Sequence, residues 1–172
     1  AVLVADASGS VSVGAEKAID YCVRRHIPLM IFVNGVDKEN SNYVATVEAF
    51  VAKSIENGID VIRIFDALND TRNLEQAIKS CKKYGGICEP ALSYTVSPVH
   101  NEEYFVKLAK DLESMGADVI CIKDMANLLL PYDAYSLVKK LKENVKVPIH
   151  LHTHNTTGTG DMTLLMAAQA GV

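Results

Sequence analysis

Apolar positions along the chain follow two alternating rhythms. Short runs rich in branched apolar residues occupy 1–6 (AVLVAD), 29–34 (LMIFVN), 60–66 (DVIRIFD), 87–94 (ICEPALSY), 118–124 (DVICIKD) and 148–154 (PIHLHTH). Such runs suit a pleated, packed surface and predict strands. The stretches between them carry helical spacing. Tyr104, Leu108 and Leu112 recur at i, i+4 and i+8, with Glu102, Lys107, Lys110 and Asp111 on the other side. Tyr135, Val138 and Leu141 do the same beside Lys139, Lys140 and Glu143. These patterns predict helices over 101–115 and 133–144, joined by others at 13–24, 41–57, 71–84 and 159–170. Gly58, Gly116 and Gly171 stand where helix gives way to strand, the place for a left-handed residue.

Six βα units in succession imply parallel strands, because a crossover helix returns the chain to the same end of the sheet. The strands are apolar on both sides, which fits a sheet covered on both faces. Polar residues collect at the strands' C-terminal ends: Asp6 and Ser8, Asn34 and Asp37, Asp66 and Asn69, Lys123 and Asp124, His152 and His154. In α/β folds that rim binds ligands.

Composition narrows the partners. The 172 residues suit one domain with a sizeable core or two small ones, and the run of βα units is read as a single α/β domain; the formal net charge is −4 with both signs interspersed. No basic stripe points to nucleic acid, so no nucleic-acid partner is expected. The longest apolar runs, such as Pro28 to Val33, are too short to span a bilayer, so no membrane partner is expected. The opening AVLVADASGS has no basic region ahead of its apolar stretch and reads as a strand. Cys22, Cys81, Cys88 and Cys121 show no C-x-x-C spacing; reduced, buried thiols and a cytoplasmic location are expected.

Two stretches resemble known families. AVLVADASGSVSVGAEKA and IPLMIFVNGVDKEN, within residues 1–50, resemble the GTP-binding domain of elongation factor G-type translational GTPases. Asn34 and Asp37 match that family's guanine-reading N-K-x-D element, with Gly35 in place of its lysine. No G-x-x-x-x-G-K-[ST] loop occurs, so the GTP site is incomplete and the resemblance implies only weak guanine-nucleotide binding. The alternative is that Asn34 and Asp37 end a strand and cap helix 41–57.

Residues 51–172 resemble the carboxyltransferase (β/α)8 barrel of pyruvate carboxylase and the oxaloacetate decarboxylase α-subunit. The matching text is NGIDVIRIFDALNDTRN, GADVICIKDMANLLLP and PIHLHTHNTTGTG. The resemblance implies a divalent metal, zinc or manganese, and biotin as the carboxyl carrier. It assigns Lys123 to a carbamylated-lysine ligand and His152 and His154 to an H-x-H pair. Residues i and i+2 on a strand share a face, so both imidazoles can approach one ion. Arg63 and Asp66 are candidates for a substrate carboxylate or for organising their loop. His150 shares the parity of the pair, and either lines the same face or fills core; His26 and His100 are expected at the surface. Asn127 stands where the family has glycine in KDMAG, and Asn155 where an aspartate often follows the second histidine.

The expected fold is therefore α/β: six βα units in one parallel sheet, half of a TIM-barrel-like array fused to a GTPase-like βαβα segment within helix 41–57. Six units cannot close an eight-stranded barrel. An open Rossmann-like or partly closed sheet is expected, with a homodimer covering its exposed face. With neither family's site whole, the first reading is an engineered chimera with no complete catalysis and residual divalent-metal binding. The alternatives are a biotin-dependent carboxyltransferase or decarboxylase fragment acting on pyruvate or oxaloacetate, and a weak guanine-nucleotide binder.

Overall fold

The computed structural model describes residues 1–172. Strands and helices alternate throughout: β1 (Val2–Asp6), α1 (Val13–Arg24), β2 (Met30–Asn34), α2 (Tyr43–Glu56), β3 (Val61–Ile64), α3 (Thr71–Lys83), β4 (Ile87–Ser93), α4 (Glu102–Ser114), β5 (Ile120–Asp124), α5 (Pro131–Asn144), β6 (Ile149–Thr153) and α6 (Gly160–Ala170). Each predicted element is present, with ends that move by only a few residues.

Local chemistry sets the helix ends. Ser12 Oγ accepts from the Ala15 N–H at 3.2 Å, and Asn101 Oδ1 from the Tyr104 N–H at 2.9 Å, each quenching a first-turn donor. Helix α5 instead starts on Pro131, which has no N–H to satisfy. Gly58, Gly116 and Gly171 take the predicted left-handed conformation, with φ of 95°, 107° and 110°. The cap of α2 is Asn42, whose Oδ1 accepts from the Ala45 N–H at 3.0 Å. The expected capping by Asn34 and Asp37 is thus corrected: they lie too far upstream, separated from the helix by the 35–41 turns.

The single six-stranded sheet is also corrected. The strands form a two-stranded sheet, β1-β2, and a four-stranded sheet, β3-β4-β5-β6. Sequential order and parallel direction hold within the pairs β1-β2, β4-β5 and β5-β6. Apolar alternation marks a segment as a strand; it does not say which neighbour supplies its ladder. The chain divides into two compact units, residues 1–62 with 79–87, and 63–78 with 88–172.

In the first unit, Ala5, Ala15, Ile19 and Phe50 form the core, with Leu3, Ile31 and Val23 packed against them. Strand alternation puts the even residues of β1 and β2 on the other face. There Val2 pairs with Met30 and Val4 with Phe32, and these four side chains are exposed. The second unit buries Phe105, Leu112, Ile120, Ile122, Leu129 and Leu141 between its sheet and helices α4 and α5.

Strand β4 accommodates Pro90, which cannot donate to a ladder. Its register with β5 begins one residue later, at Ala91↔Cys121. Just before the proline, the Cys88 N–H donates to Asp118 Oδ2 at 2.8 Å. No helix is long and apolar enough to cross a membrane.

Candidate functional site

Register brings the chemistry-bearing side chains of the second unit to one face. Ser93 is level with Lys123, Lys123 with His152, and Cys121 with His150. By two-residue alternation Glu89 on β4 and Arg63 on β3 join them, and direct bonds confirm it. Arg63 Nη2 donates to Glu89 Oε1 at 2.7 Å, and the same oxygen meets His150 Nδ1 at 2.9 Å. Arg63 Nη1 lies 3.3 Å from His152 Nδ1. Arginine has no acceptor, so His152 Nδ1 accepts and the neutral ring carries its proton on Nε2.

That Nε2 is buried and has no hydrogen-bond partner. Burial, followed by the charges of Lys123 and Arg63, pushes the His152 pKa below the ordinary value, so the ring is held neutral. The rings of His152 and His154 meet edge to face, 5.1 Å between centroids. Lys123 directs its ammonium over the Phe65 ring, 4.7 Å from the centroid.

The predicted residues separate by role. Lys123, Arg63 and the two histidines come together. Asp66 does not face them: its Oδ2 accepts from the N–H groups of Leu68 and Asp70, both at 3.0 Å, and its Oδ1 from Asn73 Nδ2 at 3.1 Å. These bonds, the Asp70 N–H foremost, hold its pKa below the usual carboxylate range. Asp66 thus ties the β3–α3 loop. Asp124 is likewise committed, accepting from the Leu128 and Leu129 N–H groups at 2.9 Å. His150 does not fill core; its side chain is more than half exposed on the histidine face. In the loop after β6 the Gly160 N–H donates to Asn155 Oδ1 at 2.8 Å.

Asn34 and Asp37 lie at the end of β2 and in the turn after it. Gly35 has φ of 76°, and a Cβ there would meet Lys38 Cε at 2.8 Å. Glycine at this position answers to backbone conformation, which a lysine would strain.

Glu89 is the site residue that sequence reasoning misses. Its signal is a lone carboxylate within an apolar strand, since a buried charge requires a partner.

A divalent cation is tested by the donors themselves. His152 Nε2 is buried and unpartnered, and His154 sets a second imidazole beside it; His152 can give that nitrogen to zinc or manganese once its proton leaves Nε2, which ends acceptance from Arg63 if the proton moves to Nδ1. No group of three His, Cys, Asp or Glu side chains is placed to hold a metal ion, and the third donor that the resemblance implies is Lys123. As an ammonium it repels a cation; as the carbamate that the resemblance implies, it becomes an anionic oxygen donor. With that change the set fits.

Comparison with known proteins places the chain in a family. The HMGL-like family profile matches residues 35–172, and the chain belongs to that family. A pyruvate carboxylase subunit of Methanocaldococcus jannaschii is 58% identical over 125 residues, 73% of this chain and 22% of that protein. The methylmalonyl-CoA carboxyltransferase 5S subunit of Propionibacterium freudenreichii subsp. shermanii is 49% identical over 128 residues, 73% of this chain and 25% of that protein. The solved carboxyl transferase domain of Rhizobium etli pyruvate carboxylase with pyruvate and biocytin superposes with a TM-score of 0.78 at 33% identity, over 92% of this chain and 28% of that one. The chain thus spans about a quarter of the length of these relatives.

These matches correct the expected fusion. The family match begins at residue 35, and a superposition over 92% of the chain takes in residues on both sides of position 50. Nothing supports a GTPase-like segment or a chimera. The fold is α/β with parallel strands, consistent with part of a TIM-barrel HMGL-like domain.

Proposed function

We propose that this chain is part of the carboxyltransferase barrel of a biotin-dependent enzyme that acts on a keto acid such as pyruvate or oxaloacetate. The observation that carries it is the 3.3 Å approach of the Arg63 guanidinium to His152. It sets an anion receptor beside the imidazole pair, on the face where Lys123 is level with His152. The similarity to the archaeal pyruvate carboxylase chain supports the same reading.

Arg63 is the group for the substrate carboxylate. Only two of its contacts are spent, on Glu89 and His152, which leaves guanidinium N–H groups for a planar anion. Lys123, His152 and His154 would hold the cation. When bound, it would supply Lewis acidity that polarises the keto carbonyl. His152 contributes by staying neutral, because burial and the neighbouring cations disfavour its protonated form. Arg63 would orient the keto acid and offset the charge of its carboxylate throughout.

Calorimetric titration of metal-stripped protein with Zn²⁺ and Mn²⁺, beside metal-dependent loss of oxaloacetate, tests this. Binding of one ion per chain and turnover, both absent in His152→Ala/His154→Ala, are expected. A folded wild-type chain that binds neither ion and leaves oxaloacetate untouched would overturn it.

A further inference from the structure

The buried carboxylate of Glu89 has no place in the roles above, yet it is the hub of the face. Its side chain is 4% exposed, and a single oxygen, Oε1, meets both Arg63 Nη2 and His150 Nδ1. A carboxylate so enclosed needs charge-assisted partners to remain in the fold. Two partners on two other strands fix its position, and it fixes theirs. From its place on β4 it reaches Arg63 on β3, and it reaches past β5 to His150 on β6.

We infer that Glu89 is the positioning residue of this site, holding the Arg63 guanidinium so that its unspent N–H edge is already aimed when the keto acid arrives. This rests on the reading that Arg63 receives the substrate carboxylate. The physical reason is order. A free arginine explores many rotamers and must be immobilised by its ligand, which weakens binding. An arginine clamped at Nη2 has lost that freedom on folding, as a preorganised site requires. The clamp also sets the Nη1 contact with His152, because the guanidinium is planar and rigid: fixing one nitrogen fixes the others. The bond from His150 completes the arrangement. A carboxylate accepts only, so His150 carries its proton on Nδ1 and turns Nε2 away from Glu89.

The test uses the full chain, with pyruvate as the probe and two independent readouts. The first is the guanidinium proton spectrum of Arg63, assigned by its loss in Arg63→Lys. Clamped, the Nη protons give separate, slowly averaging signals; in Glu89→Gln they should collapse to the single averaged signal of a free arginine. The second is pyruvate affinity with Mn²⁺ present. Glu89→Gln should weaken it about tenfold, the loss of one charge-assisted bond. Mn²⁺ affinity should fall less than pyruvate affinity, since Glu89 reaches the metal-holding residues only through the Arg63 contact with His152. If Glu89→Gln does not fold, Glu89→Asp keeps the charge but withdraws the oxygen by one methylene, and the same directions are expected. Resolved Arg63 signals and unchanged pyruvate affinity in the variant overturn the inference, even where Arg63→Lys abolishes binding. If Arg63→Lys leaves pyruvate binding intact, the keto-acid reading falls instead, and the Arg63 spectrum alone decides whether Glu89 positions it.

Discussion

Arg63 and Glu89 form an ion pair of 2.7 Å in which the carboxylate side chain is 4% exposed and the arginine side chain 35%. The asymmetry predicts unequal costs. Removing the arginine leaves the buried carboxylate with His150 alone, whereas removing both members of the pair leaves no buried charge to satisfy. Arg63→Met should lower unfolding stability by about 2 kcal/mol, the scale of a hydrogen bond to a charged group. Arg63→Met/Glu89→Leu should recover much of that loss. Urea unfolding of the two single variants and the double variant measures the coupling; strictly additive losses would show that the pair contributes nothing as a pair.

Tyr94 stacks on Phe105, 5.2 Å between ring centroids, and burial, with Asp133, Asp124 and Glu102 adding, pushes its pKa from 10 up to about 12. The folded state therefore keeps a proton that the unfolded chain gives up. Stability should fall as pH rises from 10 toward 12, and the effect should be absent below 10. Phenolate absorbance checks it: the component missing from Tyr94→Phe should titrate near 12 in the folded protein, and a midpoint near 10 would refute the prediction.

All four cysteines are buried, and burial pushes the Cys121 thiol up to about 11. A thiol reagent attacks thiolate, so folded protein at neutral pH should react slowly at every cysteine. Four equivalents should react at once in denaturant. Rapid reaction of any cysteine in the folded chain would contradict the packing described for it.

Gly35 holds φ of 76°. Gly35→Ala should cost about 1 kcal/mol, the penalty for a side chain in a left-handed conformation. Gly35→Lys, which restores the N-K-x-D text, should be destabilised by at least as much and gain no affinity for guanine nucleotide. Thermal unfolding and a nucleotide titration check both halves; tight binding by the lysine variant would revive the GTPase resemblance.

Asn127 is buried at φ of 52°, and Thr157 Oγ1 donates to its Oδ1 at 2.9 Å. Asparagine tolerates that backbone, whereas a β-branched residue does not. Asn127→Val should cost about 2 kcal/mol or more in thermal unfolding, from strain and the lost bond together. Asn127→Gly, the residue at that place in the KDMAG text, should cost less. Equal losses would mean the hydrogen bond, and not the backbone, sets the residue.

The sequence by itself determined the twelve elements, their parallel direction, and the residue types at the strand ends. Those features are local: alternation, helical spacing and caps are written in neighbouring residues. It also carried Lys123, His152 and Arg63 to attention, because H-x-H and the charged strand ends are visible as text. Glu89 was legible only as a charge out of place. The resemblance at 1–50 misled for the same reason that the rest succeeded: a βαβ segment with a polar strand end has much the same local pattern in any α/β fold. Tertiary structure decided what local pattern cannot encode. It divided six strands between two sheets, placed Asn42 and not Asn34 at the helix cap, gave Asp66 to its loop, and brought Arg63, Glu89 and His150 within hydrogen-bonding reach. Lateral strand pairing sets these contacts, and it joins residues 26 and 61 positions apart in sequence.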